Sequence, residues 1–180
     1  MQNEIDILRH VSEKLRSEGI AFMLTGSVAM SYYATPRMTR DIDLVVALAN
    51  EHVEKIFRLF GSDYYVSLEA VTDAIRRKSM FNIIHLESVI KVDFIVLSHS
   101  PFSQSAFERR SELNLGDFQT SIISREDLIL SKLLWARDSR SEIQFRDVQN
   151  LLTTSCDLEY LRKWASQLKV NTDLERLLNS

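Results

Sequence analysis

The chain has 180 residues, 45% hydrophobic and 26% charged, with a formal net charge of −3 and a pI near 5.8. That balance supplies a buried core for one domain, or a domain with a small helical appendage, and excludes an intrinsically disordered chain. It also excludes a protein that coats nucleic acid through overall positive charge, although it leaves room for a local basic patch. The single cysteine, Cys156, rules out an intramolecular disulfide and a cysteine-based zinc site. No apolar run approaches the ~20 residues of a membrane span. The first residues include Asn3, Glu4 and Asp6, not a cationic-then-apolar leader, so the expected location is a reducing cytoplasm.

In chain order, Ile5, Leu8, Val11 and Leu15 recur at helical spacing, with Asn3 as cap and Gly19 as terminator. The apolar run 20–24 reads as a buried strand that ends in Thr25, Gly26 and Ser27, a tight turn opening a short helix over 28–34. After Pro36 the chain enters a strand over 41–46. Asn50 is expected to cap a helix burying Val53, Ile56, Phe57 and Phe60, closed by Gly61. A helix over 67–78 ends in Arg76, Arg77 and Lys78, which read as a solvated helix end. Strands 80–86 and 89–97 form a hairpin, and 98–111 reads as a surface loop with a helical turn. A second hairpin turns at Gly116 and Asp117 and ends with strand 118–123. Ser124 and Asp127 begin a helix running through Ala136 with capping-box character. Helices over 142–153, 157–168 and 172–179 follow, with Asp157 and Thr172 as caps. The expected fold is mixed α/β (α+β): a mixed sheet flanked by helices over 1–123, with a helical region over 124–180 packed on it. No Gly- or Pro-rich linker separates the two, so they can form one domain.

Three segments carry chemistry. Gly26 lets the backbone approach a ligand closely, and the amides opening the next helix favour a phosphate. Asp41 and Asp43 lie two residues apart on a strand and therefore share one face. Asp93 sits within the apolar strand 89–97, where a carboxylate is costly unless charge or hydrogen bonds offset its desolvation. If the two strands are neighbours, Asp41, Asp43 and Asp93 converge, and a divalent cation relieves their repulsion. Oxygen-only ligation selects Mg²⁺ or Mn²⁺ over zinc, and a pair of such ions suits in-line displacement at phosphorus.

Each segment taken alone is ordinary. An isolated Asp-x-Asp pair usually marks a solvated strand edge, and Gly-Ser is more often a plain turn; their order together with Asp93 is what points to a site. His10, His52, His85 and His99 lack ligand spacing, Cys156 reads as an inert thiol, and Tyr32 with Tyr33 fits core packing better than base stacking.

Gly26 and Ser27, then Asp41-x-Asp43, then a third Asp on a later strand resemble the nucleotidyltransferase superfamily of the DNA polymerase β fold. The segment Arg125 to Leu134 with Lys132 in it, followed by Arg146, Asp147, Val148, Leu151 and Leu152, is similar to the minimal bacterial nucleotidyltransferases of the AbiEii type, many of them toxins of toxin–antitoxin systems. The resemblance covers roughly residues 20–153. It departs from the family in having Thr-Gly-Ser where Gly-Gly-Thr is common, and in lacking the Ala-Arg-Gly that follows Gly-Ser in the smallest members.

The resemblance implies that Gly26 and Ser27 hold nucleotide phosphates and that Asp41, Asp43 and Asp93 bind Mg²⁺ or Mn²⁺. Asp93 would also help deprotonate the acceptor hydroxyl. Lys132 would contact the triphosphate, although an amphipathic helix also lets such a lysine snorkel to the surface. Asp147, with Arg146 or Arg137 nearby, would complete the nucleotide-binding wall. The implied activity moves a nucleoside monophosphate from a nucleoside triphosphate, ATP among them, to a hydroxyl on a protein or an RNA end, with an antitoxin protein as partner. Two alternatives stand beside it: transfer to a small molecule such as an aminoglycoside or lincosamide antibiotic, and an inactive module that binds nucleotide or a partner protein.

Overall fold

A computed structural model describes residues 3–39 and 41–179. The elements in order are α1 (Glu4–Ser17), β1 (Phe22–Thr25), α2 (Gly26–Tyr33), β2 (Asp41–Val46), α3 (Val53–Phe60), β3 (Tyr64–Tyr65), α4 (Leu68–Arg77), β4 (Met80–His85), β5 (Lys91–Val96), α5 (Pro101–Glu108), β6 (Ser111–Leu115), β7 (Phe118–Ile122), α6 (Arg125–Ser139), α7 (Glu142–Leu152), α8 (Leu158–Leu168) and α9 (Asn171–Leu178). The strands form a mixed sheet in the order β3-β4-β5-β2-β1-β7-β6. β2 runs parallel to β5 and β1 parallel to β7, while β1 and β2 are antiparallel.

Alternation along the strands divides the sheet into two faces. Phe22, Leu24, Ile42, Leu44, Val46, Val92 and Phe94 are buried on one face. There Phe94 meets Phe60 of α3 with ring centroids 5.7 Å apart, and Arg16 of α1 lies over the Phe22 ring. The opposite face carries Asp41, Asp43 and Val45 beside Lys91, Asp93 and Ile95, and two apolar positions there, Val45 and Ile95, are only half-buried. One face of the sheet is therefore core, and the other is left partly open.

Local signals agree with most of the elements. Asn3 Oδ1 accepts the backbone N–H groups of Ile5 and Asp6, and the Asp6 carboxylate accepts the Asn3 N–H, a complete capping box. Five expectations are corrected. Ile7, not Ile5, joins Leu8, Val11 and Leu15 in the core, and Ile5 is exposed. Asn50 caps nothing: it starts a 3-10 turn, Asn50–His52, whose entry is held by the Ala49 N–H donating to His52 Nδ1 at 2.9 Å. Phe57 is exposed because an eight-residue helix that buries Ile56 and Phe60 turns the intervening position outward.

The segment 98–111 is not mainly loop. It contains α5, capped by Ser100 and started by Pro101, which buries Phe102, Ala106 and Phe107. Thr172 lies inside α9, whose preceding residue, Val170, makes no side-chain cap. No helix among the described residues is long and apolar enough to cross a membrane.

The C-terminal helices are joined to the sheet through buried polar contacts. The Asp127 carboxylate, fully buried at the start of α6, accepts from Ser124 Oγ at 2.6 Å, Arg109 Nε at 3.0 Å and the Tyr160 hydroxyl at 2.6 Å. Arg109 also lies 3.9 Å from the Tyr160 ring centre. One carboxylate thus links the end of α5, the cap of α6 and the first turn of α8. Asp127→Ala should lower the unfolding free energy by about 2–4 kcal/mol, because several donors lose their acceptor at once. Denaturant unfolding measures this, and a loss under 1 kcal/mol, the size of one exposed cap, would show that the network is dispensable.

Candidate active site

Gly26 makes the site sterically feasible. It closes β1 and opens α2 with φ +67°, in the left-handed region, and a Cβ there would stand 1.9 Å from Asp43 Oδ2. Only glycine allows this turn to pack against that carboxylate. Register does the rest. Thr25 pairs with Asp43 across the antiparallel β1–β2 ladder, and Asp43 pairs with Asp93 across the parallel β2–β5 ladder. Two carboxylates from strands fifty residues apart in sequence numbering thus lie side by side on the open face of the sheet.

Their electrostatics are uneven. Asp43 is pushed up to about 6, first by burial and then by the Asp93 and Asp41 carboxylates. Asp93 is only 5% exposed; its Oδ2 lies 2.9 Å from Lys91 Nζ, while its Oδ1 is buried with no hydrogen-bond partner. Asp41 is exposed at the mouth, with Oδ2 3.5 Å from the same ammonium. The expected convergence is therefore partial. Asp43 and Asp93 adjoin, Asp41 stands one pleat repeat away, and Lys91 lies between Asp41 and Asp93.

As the side chains stand, no three acidic, imidazole or thiolate groups among the described residues converge as a metal cage. The donors nevertheless suit a hard divalent cation. They are all oxygen, one buried oxygen has no partner, and the middle carboxylate is destabilised by its acidic neighbours.

The second half of the site comes from the C-terminal helices. Lys132 of α6 is 3% exposed, which overturns snorkelling, and donates to Asp147 Oδ2 at 2.7 Å and Gln144 Oε1 at 3.1 Å. Burial holds its ammonium below the usual lysine range, opposed by the hydrogen bond to Asp147. Arg137 and Arg146 do not join this group. Arg137 donates to Asp138 and to the Leu168 carbonyl at the surface, and Arg146 is exposed.

The arginine at the site is Arg37. Its Nε donates to Asp147 Oδ1 at 3.0 Å, and its Nη2 donates to Asp147 Oδ2 at 3.1 Å and to Ser27 Oγ. A sequence signal for it existed. A cation on the short connection between the Gly-Ser turn and the Asp-x-Asp strand has little room to stray from either. Among the other sequence candidates, Tyr33 is structural, its hydroxyl donating to the Ile123 carbonyl at 2.7 Å, and Cys156 is partly buried with its thiol pushed up by desolvation. A cavity of about 300 Å³ extends from Asp43 and Lys132 between the open sheet face and helices α5 and α6, walled by Met23, Val45, Ile95, Phe102, Leu128 and Trp135.

Two substitutions test the electrostatics and sterics with opposite signs. The raised Asp43 pKa means that the fold disfavours its ionised form above pH 6. An isosteric amide removes that penalty, and each pKa unit is worth about 1.4 kcal/mol. Asp43→Asn should therefore stabilise the protein in chelator at pH 7.5 by on the order of 1–3 kcal/mol. Gly26→Ala should destabilise it by about 1–2 kcal/mol from the left-handed backbone alone, and further through displacement of Asp43. Thermal and denaturant unfolding read both changes. A destabilised Asp43→Asn would mean that the carboxylate is a net structural acceptor.

The sequence matches the family described as nucleotidyl transferase AbiEii toxin, type IV toxin–antitoxin system, over residues 7–170. A comparison with curated protein sequences gave no significant match. Among solved structures, the fold is similar to the lincosamide antibiotic adenylyltransferase LnuA with lincomycin bound, at 16% identity and a TM-score of 0.56, covering 86% of this chain and all of that one. It is similar to the antibiotic-resistance factor ANT(2'')-Ia at 10% identity and a TM-score of 0.60, covering 96% and 91% of the two chains. An antigenic nucleotidyltransferase-like protein from Paracoccidioides brasiliensis aligns at 19% identity and a TM-score of 0.56, covering 98% and 92%. These distant structures share the fold, whereas the sequence match spans nearly the whole chain, and the chain accordingly belongs to the AbiEii family of nucleotidyltransferases.

Proposed function

We propose that this nucleotidyltransferase moves a nucleoside monophosphate from a nucleoside triphosphate to a hydroxyl on a protein or RNA end, with Mg²⁺ or Mn²⁺ held by Asp41, Asp43 and Asp93. The observation that carries the reading is the Asp43–Asp93 pair in register beside the Gly26 turn, with Asp93 Oδ1 buried and unpartnered. A divalent cation bound there supplies Lewis-acid polarisation of phosphoryl oxygens and makes a nearby hydroxyl more acidic.

The chain's own residues do the remaining work. The Gly26 turn and the first amides of α2 hold phosphate oxygens, and Lys132 opposes the triphosphate charge from the other side. Asp93 takes the proton of the acceptor hydroxyl. The acceptor oxygen then bonds to the α-phosphorus, the bond from that phosphorus to the bridging oxygen breaks, and pyrophosphate leaves. The family description supports a toxin role with a cognate antitoxin.

A second reading has one observation in its favour. The cavity beside Asp43 is walled largely by apolar side chains and matches the small end of the range for small-molecule pockets, roughly 300 Å³. It suits a small-molecule acceptor, the class that the lincosamide adenylyltransferase binds by its description. Incubation with each α-labelled nucleoside triphosphate, Mg²⁺ and cell extract, or with an aminoglycoside or lincosamide, separates the readings by whether label reaches protein, RNA or drug. No transfer under any condition, with nucleotide still bound, would favour an inactive binding module.

Asp93→Asn tests the proton transfer. The amide keeps the shape and can still be approached by a cation, but it is no base. Transfer should fall at least ~100-fold at saturating Mg²⁺, with triphosphate affinity retained and an unchanged circular dichroism spectrum. Wild-type turnover in Asp93→Asn at saturating Mg²⁺ would limit the residue to ligation. Full activity of that variant in chelator would move the site elsewhere.

A further inference from the structure

Arg37 has no part in the chemistry proposed for the site, and its surroundings give it one. Residues 34–39, which follow α2, are tied to α7 at two points about one helical turn apart. Asn150 Nδ2 donates to the Thr35 carbonyl at 2.8 Å, and the Arg37 guanidinium grips Asp147 with two of its nitrogens. The guanidinium is thereby fixed in a plane beside the start of α2, where it also donates to Ser27 Oγ.

Charge counting shows that this grip exceeds what Asp147 needs. The carboxylate is 3% exposed and already accepts from the buried Lys132 ammonium at 2.7 Å, which neutralises it by itself. Arg37 is a second cation on the same carboxylate, and the Lys132 charge is also felt by Asp43. The surplus sits beside the amide-rich opening of an eight-residue helix, itself positive. The Arg37 guanidinium therefore shares its carboxylate with Lys132 and keeps charge available for an arriving anion. Arg37 is also built to receive one: its side chain is 36% exposed, and Nη1 makes only a long contact, 3.4 Å, to the Met38 carbonyl. A planar guanidinium with free outward donors suits a phosphate better than a lysine does.

We infer that Arg37 is a triphosphate-binding residue, and that Asp147 is a positioning residue which aims Arg37 and Lys132 together instead of touching nucleotide itself. This rests on the nucleotidyltransferase reading of the site and extends it. In the absence of ligand the Arg37–Ser27 hydrogen bond spans the place next to the Gly26 turn. An incoming phosphate oxygen replaces Ser27 Oγ as the acceptor of Nη2, and the Asp147 grip persists. Arg37, Lys132 and the α2 amides then surround the polyphosphate on three sides.

The probe is inorganic tripolyphosphate, the part common to all nucleoside triphosphates, titrated calorimetrically into the metal-free full chain. Arg37→Ala should weaken binding at least tenfold, and Arg37→Lys, which keeps the charge and loses the fork, should weaken it by less. Asp147→Asn keeps both basic side chains but removes the acid that aims them and holds the buried Lys132 ammonium charged, so it should weaken probe binding by less than Arg37→Ala while nucleotidyl transfer falls. A merely structural role would not produce that split. Arg137→Ala, which removes a surface cation away from the site, should bind as wild type and so controls for overall charge. Thermal unfolding of each variant reports the fold, and Arg37→Lys carries the test if Arg37→Ala is unstable. Wild-type affinity in both Arg37 variants, with label still transferred by wild type, would overturn the inference and leave the function standing. A probe-binding loss in Asp147→Asn equal to that of Arg37→Ala would overturn the positioning role. No binding of probe or nucleoside triphosphate by wild type would overturn the function and the inference together.

Discussion

The whole site depends on the contact between a residue without a side chain and a carboxylate. Gly26 and Asp43 are close enough that one added carbon would overlap the acid oxygen. Because the turn fits against Asp43, α2 starts beside the acidic strand. Shifting β2 by one residue against β1 would send Asp43 to the apolar face and fill its place with Ile42 or Leu44, so the register and the glycine specify each other. The parallel pairing of β2 with β5 then brings Asp93 alongside without further instruction.

That arrangement is held against its own electrostatics. Asp43 is destabilised in its ionised form by burial and by two neighbouring acids, and Asp93 keeps an unpartnered buried oxygen. The protein compensates in part by internal cations, Lys91 on the acidic side and Lys132 with Arg37 on the other. The site is thus split into an acidic half suited to a hard cation and a basic half suited to polyphosphate. Under the proposed function, a nucleoside triphosphate with its divalent ion carries the same division of charge. Stability elsewhere offsets the strain: the apolar face of the sheet is fully covered, and the Asp127 network fastens the helices that carry Lys132 and Asp147.

Many of these features were legible before folding. The caps at Asn3, Ser124 and Asp157 are local hydrogen bonds within three residues, and local sequence specifies them. The two hairpins follow from short turns between β-rich runs, and the period of two put Asp41 and Asp43 on one face. Where local patterns misled, the cause was tertiary. The 98–111 segment is rich in serine and reads as loop, yet packing of Phe102, Ala106 and Phe107 secures α5 there. Phe57 repeats at helical spacing and still faces solvent, since a helix of two turns has only one buried side.

The sequence by itself determined the kinds of groups present and their order: a glycine turn, an acidic pair, a third acid in an apolar strand, and a lysine on a later helix. Those are properties of neighbours a few residues apart, which backbone periodicity and turn chemistry control. Only the tertiary structure decided which cation meets which acid. Arg37 and Asp147 are 110 residues apart, and Lys132 and Asp147 fifteen, on different elements whose approach no local period encodes. The arginines adjacent in sequence, Arg137 and Arg146, turn to solvent because the inward positions of α6 and α7 are taken by Leu133, Ala136, Val148 and Leu151. Burial on one helix face left a single inward direction for charge, and the loop bearing Arg37 was the segment able to reach it.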